Sequence, residues 1–340
     1  MEEKRTVKIF AVSDIHGCVR DLKRALMQAG FYPNSPKHLL VICGDNFDRG
    51  KENAATFAYL RTVKNKIMIR GNHEDILTEA LERGFITKSD EYNGTLQTVE
   101  EFFGASSIDF FKRLSIPEGA KKEITDFIDG MYDYFETEEH IFTHGWTPRA
   151  IEGVENWRRA TLKDWQEARW KCWDRLYPTV AEVEEKTVVV GHSSAKYARN
   201  FDSTRDWYDT STFKTEKMIA IDGSVYETEK INVYICESTL LPTAEYTVTV
   251  TEPTYNEIKK NPVNLIRVST DIPTLRPRDT VILNCENSDL PPIKTTVCGV
   301  YQYKNETELS ASHKNQTLHT ALPHSSDNEH VTVIRLSTAE

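Results

Sequence analysis

Short apolar runs alternate with amphipathic stretches along the first third of the chain. Residues 7–12, 39–43 and 67–69 are rich in Val, Ile and Leu and have the length of buried strands. Each run is followed by a stretch with a helical spacing of apolar positions, the first at residues 20–29. A repeated strand–helix order is typical of a mostly parallel sheet with helices on its faces, so the pattern predicts an α/β fold.

Further strands are predicted after a polar region, residues 85–135, that is helical in places. Apolar runs at 140–143 and 186–190 each predict a strand. Two more runs, at 218–221 and 231–235, predict antiparallel strands joined by a turn. The sheet is therefore expected to continue to about residue 236.

Two segments of this middle part lack a strand pattern. Residues 92–95, Tyr-Asn-Gly-Thr, are predicted to form a loop because Asn-Gly favours turns. A second segment carries Trp157, Trp165, Trp170 and Trp173, and we expect it to pack as a helical cap.

The character of the chain changes at Leu241-Pro242. Beyond it, strands are predicted at 246–251, 280–283, 296–301 and 331–336, with a polar stretch at 310–328 before the last. We therefore expect two domains: a larger α/β domain over residues 1–240 and a small β-rich domain over residues 241–340.

Composition narrows the class of protein. The 340 residues carry a formal net charge of -10, which argues against a chain dominated by non-specific nucleic-acid binding. The 6 cysteines form no CxxC pair and are expected to be reduced. No apolar leader and no apolar stretch long enough for a bilayer is present, so we expect a cytoplasmic protein without a membrane partner.

Polar residues with metal-binding side chains follow the predicted strands. The set is Asp14, His16, Asp45, Asn72, His144 and His192. Because the carboxyl ends of parallel strands meet at one edge of a sheet, we expect these side chains to lie close together. Oxygen and nitrogen ligands without thiolates suit divalent metals, and a carboxylate such as Asp45 can bridge two ions. Two ions about 3.5–4 Å apart can activate water and hold a phosphoryl oxygen.

Five motifs in this order resemble those of the calcineurin-like metallophosphoesterases. They are Asp14-x-His16, Gly44-Asp45-x-x-Asp48-Arg49-Gly50, Gly71-Asn72-His73-Glu74, Thr143-His144-Gly145 and Gly191-His192. The second and third motifs are complete, which makes the chain similar to the phosphoprotein phosphatase branch of the family. This branch includes phage and bacterial protein phosphatases and symmetrical diadenosine tetraphosphatases. The resemblance covers about residues 7–236. It implies a four-layer α/β/β/α sandwich, to which the β-rich C-terminal domain is an addition.

The resemblance also implies which residues hold two divalent metal ions. Asp14, His16 and Asp45 are similar to the ligands of the first ion, and Asp45, Asn72, His144 and His192 to those of the second. Mn²⁺ is the first expectation, and Fe, Zn and Co suit the same ligands.

A proton donor is implied as well. His73 resembles the general acid that protonates the leaving oxygen, and Asp48 resembles the carboxylate that orients it. An adjacent carboxylate raises the affinity of a histidine for its proton, as an acid near neutral pH requires. Glu74 completes the motif, and we expect it to hold the loop in place.

The resemblance also implies that two arginines bind the phosphate group, as a phosphate clamp. Arg49 is suited to bind phosphate through two N–H groups. Phage-type phosphatases carry a second arginine in a Trp-x-Arg pattern, which Trp173-Asp174-Arg175 matches, so we choose Arg175, with Arg169 as the alternative.

The function implied is hydrolysis of phosphomonoesters, as in protein Ser/Thr phosphatases, by attack of a metal-bound hydroxide. An alternative is hydrolysis of dinucleoside tetraphosphates, so the expected substrate is a phosphorylated protein or a nucleotide. Ser193-Ser194 and Gly223-Ser224 depart from the Thr-Pro and Thr-Gly usual in phage and bacterial relatives, which leaves the substrate open.

A third interpretation is an RNA- or nucleotide-binding end-processing factor, because residues 275–283 faintly resemble PUA-like or ASCH-type barrels.

Overall fold

The computed structural model describes residues 5–171, 185–197, 208–261, 263–268, 275–288, 290–304, 306–312, 318–322 and 331–338. Its first sheet consists of β1 (Thr6–Val12), β2 (His38–Cys43), β3 (Lys66–Ile69) and β9 (Tyr234–Thr239). The order is β3-β2-β1-β9. The first three strands are parallel, and β9 runs antiparallel to β1. The three strands predicted in the first third of the chain are thus confirmed.

Helices cover one face of this sheet. They are α1 (Val19–Gln28), α2 (Asn53–Thr62), α3 (Asn72–Arg83), α4 (Lys88–Asn93), α5 (Thr95–Phe103) and α6 (Glu118–Asp129). Phe10 and Leu40 pack against apolar residues of these helices in one buried cluster. The neighbouring positions Ile9 and Leu39 belong to a different cluster on the opposite face, as the two-residue period of a strand requires.

Residues 92–95, predicted as a loop, are helical except at one position. Asn93 ends α4 and Thr95 begins α5, while Gly94 between them has a φ of 89°. Glycine adopts this left-handed conformation without a Cβ clash, so a single residue suffices to redirect the chain.

The second sheet packs face to face against the first. It consists of β4 (Phe135–Glu136), β5 (His140–Phe142), β6 (Thr187–Val190), β7 (Phe213–Lys214) and β8 (Met218–Ala220), in the order β4-β5-β6-β8-β7. Phe142, Val189 and Ile219 pack against Ile9 and Val41 of the first sheet. On its outer face, the second sheet is covered by Trp146 and its neighbours. The fold is the expected α/β sandwich.

One predicted pairing is wrong. The strands near 218–221 and 231–235 do not pair with each other, because β8 belongs to the second sheet and β9 to the first. The helical turn α8 (Val225–Thr228) lies between them. Ile219 and Tyr234 meet in the apolar layer between the sheets. The two runs are apolar because they face each other across that layer, and such a pattern cannot be distinguished from edge-to-edge pairing in the sequence.

The C-terminal region forms a closed six-stranded barrel. Its elements are β10 (Glu245–Val250), α9 (Glu252–Lys260), β11 (Val263–Val268), β12 (Thr280–Cys285), β13 (Ile293–Tyr303), α10 (Glu306–Ser312), β14 (Leu318–Leu322) and β15 (Val331–Ser337). The order is β10-β12-β13-β15-β11-β14, with β14 pairing back to β10. Four of these strands were predicted; β11 and β14 were missed. The division at residue 241 stays a prediction.

The barrel packs on the sandwich through aromatic residues. Tyr134 and Trp165 stack with ring centroids 5.3 Å apart and an interplanar angle of 5°. Trp165 lies on α7 (Leu162–Arg169), and Trp157 on a short 3-10 turn, in line with the predicted helical segment. Leu265 and Tyr303 of the barrel belong to the same buried cluster. Trp173 lies outside the described residues.

Within the described residues, no helix combines the length and apolar character that a membrane crossing needs.

Candidate metal centre

The carboxyl-terminal ends of five strands bring the predicted ligands together. Asp14 and His16 follow β1, Asp45 follows β2, and Asn72 follows β3. His144 and His192 follow β5 and β6 of the facing sheet. Side chains that are distant in sequence therefore converge at one edge of the sandwich, where the two sheets meet.

Asp45 lies at the centre of this group. Its Oδ1 is 3.3 Å from Nε2 of His144, and its Oδ2 is 3.7 Å from Nε2 of His16. Two clusters share it: Asp45 with His16 and His73, and Asp45 with His144 and His192, each with ligand atoms within 4.8 Å of one another. Ligands bound about 2.0–2.2 Å from one metal ion necessarily lie only a few ångströms apart, so this spacing suits two ions on either side of one carboxylate.

Asp14 approaches the group from β1. Its Oδ1 is 3.9 Å from Nε2 of His16, and its Oδ2 accepts a hydrogen bond of 3.0 Å from the backbone N–H of His192. Burial, together with the negative charge of Asp222, raises the pKa of Asp14 well above its usual value. Asp222 was not among the predicted ligands. Burial likewise raises the pKa of Asp222 to about 6. The sequence signal that could have identified Asp222 is its position directly after the apolar run that ends at Ile221.

The histidine rings are held by backbone carbonyls. Nδ1 of His144 donates to the carbonyl of Cys43 at 2.7 Å, and Nδ1 of His16 donates to the carbonyl of Phe47 at 3.0 Å. Because a carbonyl can only accept, these bonds fix the protonated nitrogen and direct each Nε2 toward the site.

The surroundings of His144 Nε2 test whether a cation fits. This nitrogen faces two oxygens, Oδ1 of Asn72 at 2.8 Å and Oδ1 of Asp45 at 3.3 Å. With the Asn72 amide oxygen facing it, the lone pair of this nitrogen meets two acceptor oxygens, an arrangement that a proton or a metal ion between them would stabilise. Burial alone would lower the pKa of His144, but the charge of Asp45 outweighs it and raises the pKa to about 10. The donor set therefore fits a divalent cation.

The opposite shift occurs at His192. Burial and the nearby His144 lower the pKa of His192 to about 3, so its ring is neutral and able to act as a ligand. Burial and His73 similarly lower the pKa of His16. For Asp45 itself, burial would raise the pKa, but His144 and His73 lower it well below its usual value.

The backbone around the site is strained. Six residues have φ in the left-handed region: Asp14 (51°), His16 (46°), Asp45 (55°), Asp48 (72°), Arg49 (62°) and His192 (66°). Each such residue costs on the order of 1–3 kcal/mol, and such residues cluster at functional sites. At Asp45 the backbone is held by a hydrogen bond to Glu74. Its carboxylate accepts from the backbone N–H groups of Asp45 (3.0 Å), Asn46 (2.8 Å) and Gly71 (2.8 Å), which confirms its expected structural role.

His73 and Asp48 form a pair. Nδ1 of His73 lies 2.9 Å from Oδ2 of Asp48, and both residues are buried. Thr95 and Thr98, which were not predicted, donate to the same carboxylate at 2.8 and 2.6 Å. Burial would lower the pKa of His73, but Asp45 and Asp48 raise it above its usual value. Nε2 of His73 is buried without a hydrogen-bond partner among the described residues, and it lies 3.9 Å from Asp45.

The arginines differ in environment. Arg49 stacks over Tyr226, with its guanidinium carbon 5.0 Å from the ring centroid, beside the His16 ring, which lies 5.9 Å from Tyr226. Arg169 is buried and points away, since it donates to Asp75 at 2.9 Å and to Asp133 at 2.6 Å. Arg175 lies outside the described residues.

The chain is similar to known phosphoesterases. The family model described as calcineurin-like phosphoesterase matches residues 7–219. Serine/threonine-protein phosphatase 2 of Salmonella typhimurium is 45% identical over 74 residues, which are 22% of this chain and 33% of that protein. The symmetrical bis(5'-nucleosyl)-tetraphosphatase of Buchnera aphidicola is 36% identical over 69 residues, 20% of this chain and 24% of that protein. The chain thus matches about a third or less of the length of these relatives.

Solved structures also resemble the chain. A cold-active protein-tyrosine phosphatase of a psychrophilic Shewanella species has a TM-score of 0.43 at 15% identity, covering 69% of this chain and 80% of that one. A metallophosphoesterase from Sphaerobacter thermophilus has a TM-score of 0.38 at 12% identity, covering 64% and 76%.

Proposed function

We propose that this chain, which belongs to the calcineurin-like phosphoesterase family and is thus a phosphoric ester hydrolase, hydrolyses phosphomonoesters with two divalent metal ions. The observation that carries the proposal is the position of Asp45. Its two carboxylate oxygens face different histidines, His144 at 3.3 Å and His16 at 3.7 Å, as a carboxylate shared between two ions would.

The proposed ligands divide into two sets that share Asp45. Asp14 and His16 would hold the first ion, and Asn72, His144 and His192 the second. When bound, the ions supply positive charge for the phosphoryl oxygens and acidify the attacking water. We expect Mn²⁺ in both positions, since nitrogen and oxygen ligands without thiolate suit it, as they do Fe, Zn and Co.

His73 is proposed to protonate the leaving oxygen. Its Nδ1 is committed to Asp48, so Nε2 is the nitrogen that can give up a proton toward the site. Thr95 and Thr98 hold the Asp48 carboxylate in place, so the imidazole cannot rotate without breaking buried hydrogen bonds. General acids of this kind contribute about 10²–10⁴-fold to rate.

Arg49 is proposed to bind the phosphoryl group. The Tyr226 ring supports one face of its guanidinium and leaves the N–H edge for a phosphate oxygen. Arg175 stays the proposed second clamp. Arg169 is unsuited to that role, since its two terminal nitrogens are already bound by Asp75 and Asp133.

Manganese-dependent hydrolysis of p-nitrophenyl phosphate tests this function. We expect chelation with EDTA to abolish activity and added Mn²⁺ to restore it. Asp45→Asn should reduce activity to background, and His73→Asn should reduce kcat by about 10²–10⁴-fold. His38→Asn, at the opposite end of β2, is the matched control and should keep full activity. Full activity in both Asp45→Asn and His73→Asn would overturn the proposal.

Cleavage of dinucleoside tetraphosphates is the second candidate, supported by the 36% identity over 69 residues to a symmetrical tetraphosphatase. The two functions use the same site and differ in the group that carries the phosphate. Diadenosine tetraphosphate should therefore be compared with phosphoserine peptides and 5'-phosphorylated RNA under the same conditions. Rapid formation of two ADP, with slow release of phosphate from the peptides, would favour the second candidate.

A further inference from the structure

A small crevice lies at the junction of the sandwich and the barrel. The residues that line it include Phe135, Glu136, Leu241, Pro242, Arg276 and Arg278. Just before this segment, the backbone N–H of Leu240 donates at 3.0 Å to the carbonyl of Arg5, which precedes β1. The proposed metal ligands follow the other end of β1, about 20 Å away. The crevice is therefore separate from the metal centre, and the proposed hydrolysis does not account for it.

Two arginines in this crevice have unused hydrogen-bond donors. The guanidinium of Arg278 lies over the Phe135 ring, with its central carbon 5.3 Å from the ring centroid. Arg276 donates through Nη2 to the carbonyl of Pro242. The remaining guanidinium nitrogens of both arginines have no partner among the described residues and yet are not buried, so solvent reaches them. Both side chains can therefore donate to a molecule that arrives from solvent.

The acidic residues near these arginines are already bound. Glu136 accepts from Arg158 at 2.8 and 2.9 Å and lies 2.7 Å from Nζ of Lys186. The buried Asp279 accepts from two backbone N–H groups, at 2.8 and 3.0 Å. Neither carboxylate forms an ion pair with the guanidinium of Arg278, so the crevice keeps an excess of positive charge.

This positive charge accumulates although the chain as a whole has a net charge of -10. Burial lowers the pKa of Arg278, and the charges of Arg276 and Arg5 lower it further. An anion between these side chains would relieve their repulsion. Arg5 and Arg276 come from distant segments of the chain, so the basic cluster exists only in the folded protein.

The chemistry of arginine and the size of the crevice indicate which anion fits. A guanidinium presents paired N–H groups that match two oxygens of a phosphate. The crevice has a volume of about 20 Å³, room for one water-sized group. One oxygen can therefore enter while the rest of the ligand stays at the surface. A tetrahedral phosphate keeps further oxygens for the neighbouring guanidinium, whereas a carboxylate has only two oxygens in all.

We propose that Arg276 and Arg278 bind a phosphate group in this crevice. Free phosphate, a nucleotide and a nucleic-acid backbone all supply that group, and titrations of the EDTA-treated full chain distinguish them without hydrolysis. The probes are inorganic phosphate, uridine monophosphate and a fluorescent oligouridylate. We expect phosphate to bind at least tenfold more tightly than acetate.

The relative affinities of the probes identify the source of the phosphate group. Binding of the oligouridylate at least tenfold more tightly than the monophosphate, with an affinity that falls as salt is added, indicates a nucleic-acid backbone. Equal affinities indicate a nucleotide, and inorganic phosphate bound as tightly as either indicates free phosphate. Each of these results agrees with a phosphate site.

Variants test the position of the site. Arg276→Gln combined with Arg278→Gln should weaken binding of the probes at least tenfold. Arg61→Gln combined with Arg113→Gln changes the net charge equally at two exposed, ion-paired arginines, and this control should bind normally. Arg49→Gln should also bind normally, because the crevice is separate from the metal centre.

Urea unfolding checks each variant, because Arg278 also packs on Phe135. If the double variant does not fold, Arg276→Gln alone leaves that packing intact and should still weaken binding at least threefold. Normal binding in the crevice variants, or loss of binding in Arg49→Gln instead, would overturn the proposal. Equal affinity for acetate and phosphate, or no binding of any probe at millimolar concentration, would overturn it as well.

Discussion

The hydroxyl of Tyr301, on barrel strand β13, donates a hydrogen bond of 2.8 Å to Oδ2 of Asp133 in the sandwich, and both residues are buried. The same aspartate accepts from Arg169 at 2.6 Å. Arg169 in turn binds Asp75, two residues after His73 on α3. A barrel side chain is thus connected to the helix that carries the proposed general acid through three buried polar contacts.

Tyr301→Phe is expected to destabilise the whole chain. The substitution removes one donor from a buried carboxylate, and hydrogen bonds to charged groups contribute about 1.5–3 kcal/mol. Urea unfolding should show that loss as a lower midpoint with an unchanged slope. Tyr92→Phe removes a hydroxyl from a side chain that is 91% exposed and should leave the midpoint unchanged. Equal midpoints for the two variants would show that the Tyr301 contact contributes nothing.

Gly44→Ala is expected to disturb the metal centre specifically. A Cβ at Gly44 would lie 2.5 Å from Nδ1 of His144, where the ring donates to Cys43, so the ring must move. Gly44 also has a φ of +82°, which costs an alanine about 1 kcal/mol. Gly153→Ala is the matched control because Gly153 has a φ of +83° but no atom within 4 Å of its Cβ position.

Both glycine variants should therefore lose about 1 kcal/mol of stability from backbone strain. Only Gly44→Ala should also weaken Mn²⁺ binding, by at least tenfold, as measured by calorimetry on chelated and dialysed protein. Wild-type affinity in Gly44→Ala would mean that the His144 ring tolerates displacement and that its position is not critical.

The proximity of the proposed ligands could be predicted from the sequence because of a property of parallel sheets. Asp14, Asp45 and Asn72 come shortly after apolar runs, and parallel strands present their carboxyl ends at one edge, so proximity follows from topology. The partners of Asp48 could not be found in this way. Thr95 and Thr98 lie on a helix about 50 residues later, and no local pattern distinguishes them from a solvated helix face.

Prediction from the sequence was limited in the barrel as well, because contacts between distant residues define one of its strands. Strand β14 was missed because residues 318–322 lie in a polar stretch, and its assignment depends on pairing with β10 and β11 rather than on its own composition. Arg169 was the alternative to Arg175 as the second phosphate clamp, and nothing in the sequence showed that its side chain is buried. Its ion pairs with Asp75 and Asp133 could not be predicted either, because these residues approach it from elements distant in sequence.

Glu136→Gln is expected to change the pH dependence of stability. Glu136 accepts from Arg158 at 2.8 and 2.9 Å and lies 2.7 Å from Nζ of Lys186. Burial would raise its pKa, but these contacts lower the pKa below its usual value of 4.5. A lowered carboxyl pKa stabilises the fold above the unfolded pKa, and this contribution is lost as pH falls through the folded pKa.

The wild type should therefore exceed Glu136→Gln in stability by about 1–3 kcal/mol at pH 7, and the difference should shrink as pH falls below about 4.5. Thermal unfolding between pH 3 and 7 measures it. Glu118→Gln, whose parent side chain is 82% exposed, should follow the wild type at every pH. A difference that stays constant down to pH 3 would contradict the assignment.

Asp48→Asn is expected to impair proton donation without removing a proposed metal ligand. The amide keeps the size of the carboxylate but loses the charge that, with Asp45, raises the pKa of His73. Less of the imidazolium is then present near neutral pH, so turnover should fall most for substrates whose leaving oxygen needs a proton.

We expect kcat for phenyl phosphate to drop by about 10²-fold or more, and kcat for p-nitrophenyl phosphate, with its better leaving group, to drop less. Asp109→Asn, at an exposed ion pair with Arg113, should leave both rates unchanged. Equal losses for the two substrates would place Asp48 in metal or phosphate binding rather than in support of the acid, because a positioning defect there would not depend on the leaving group.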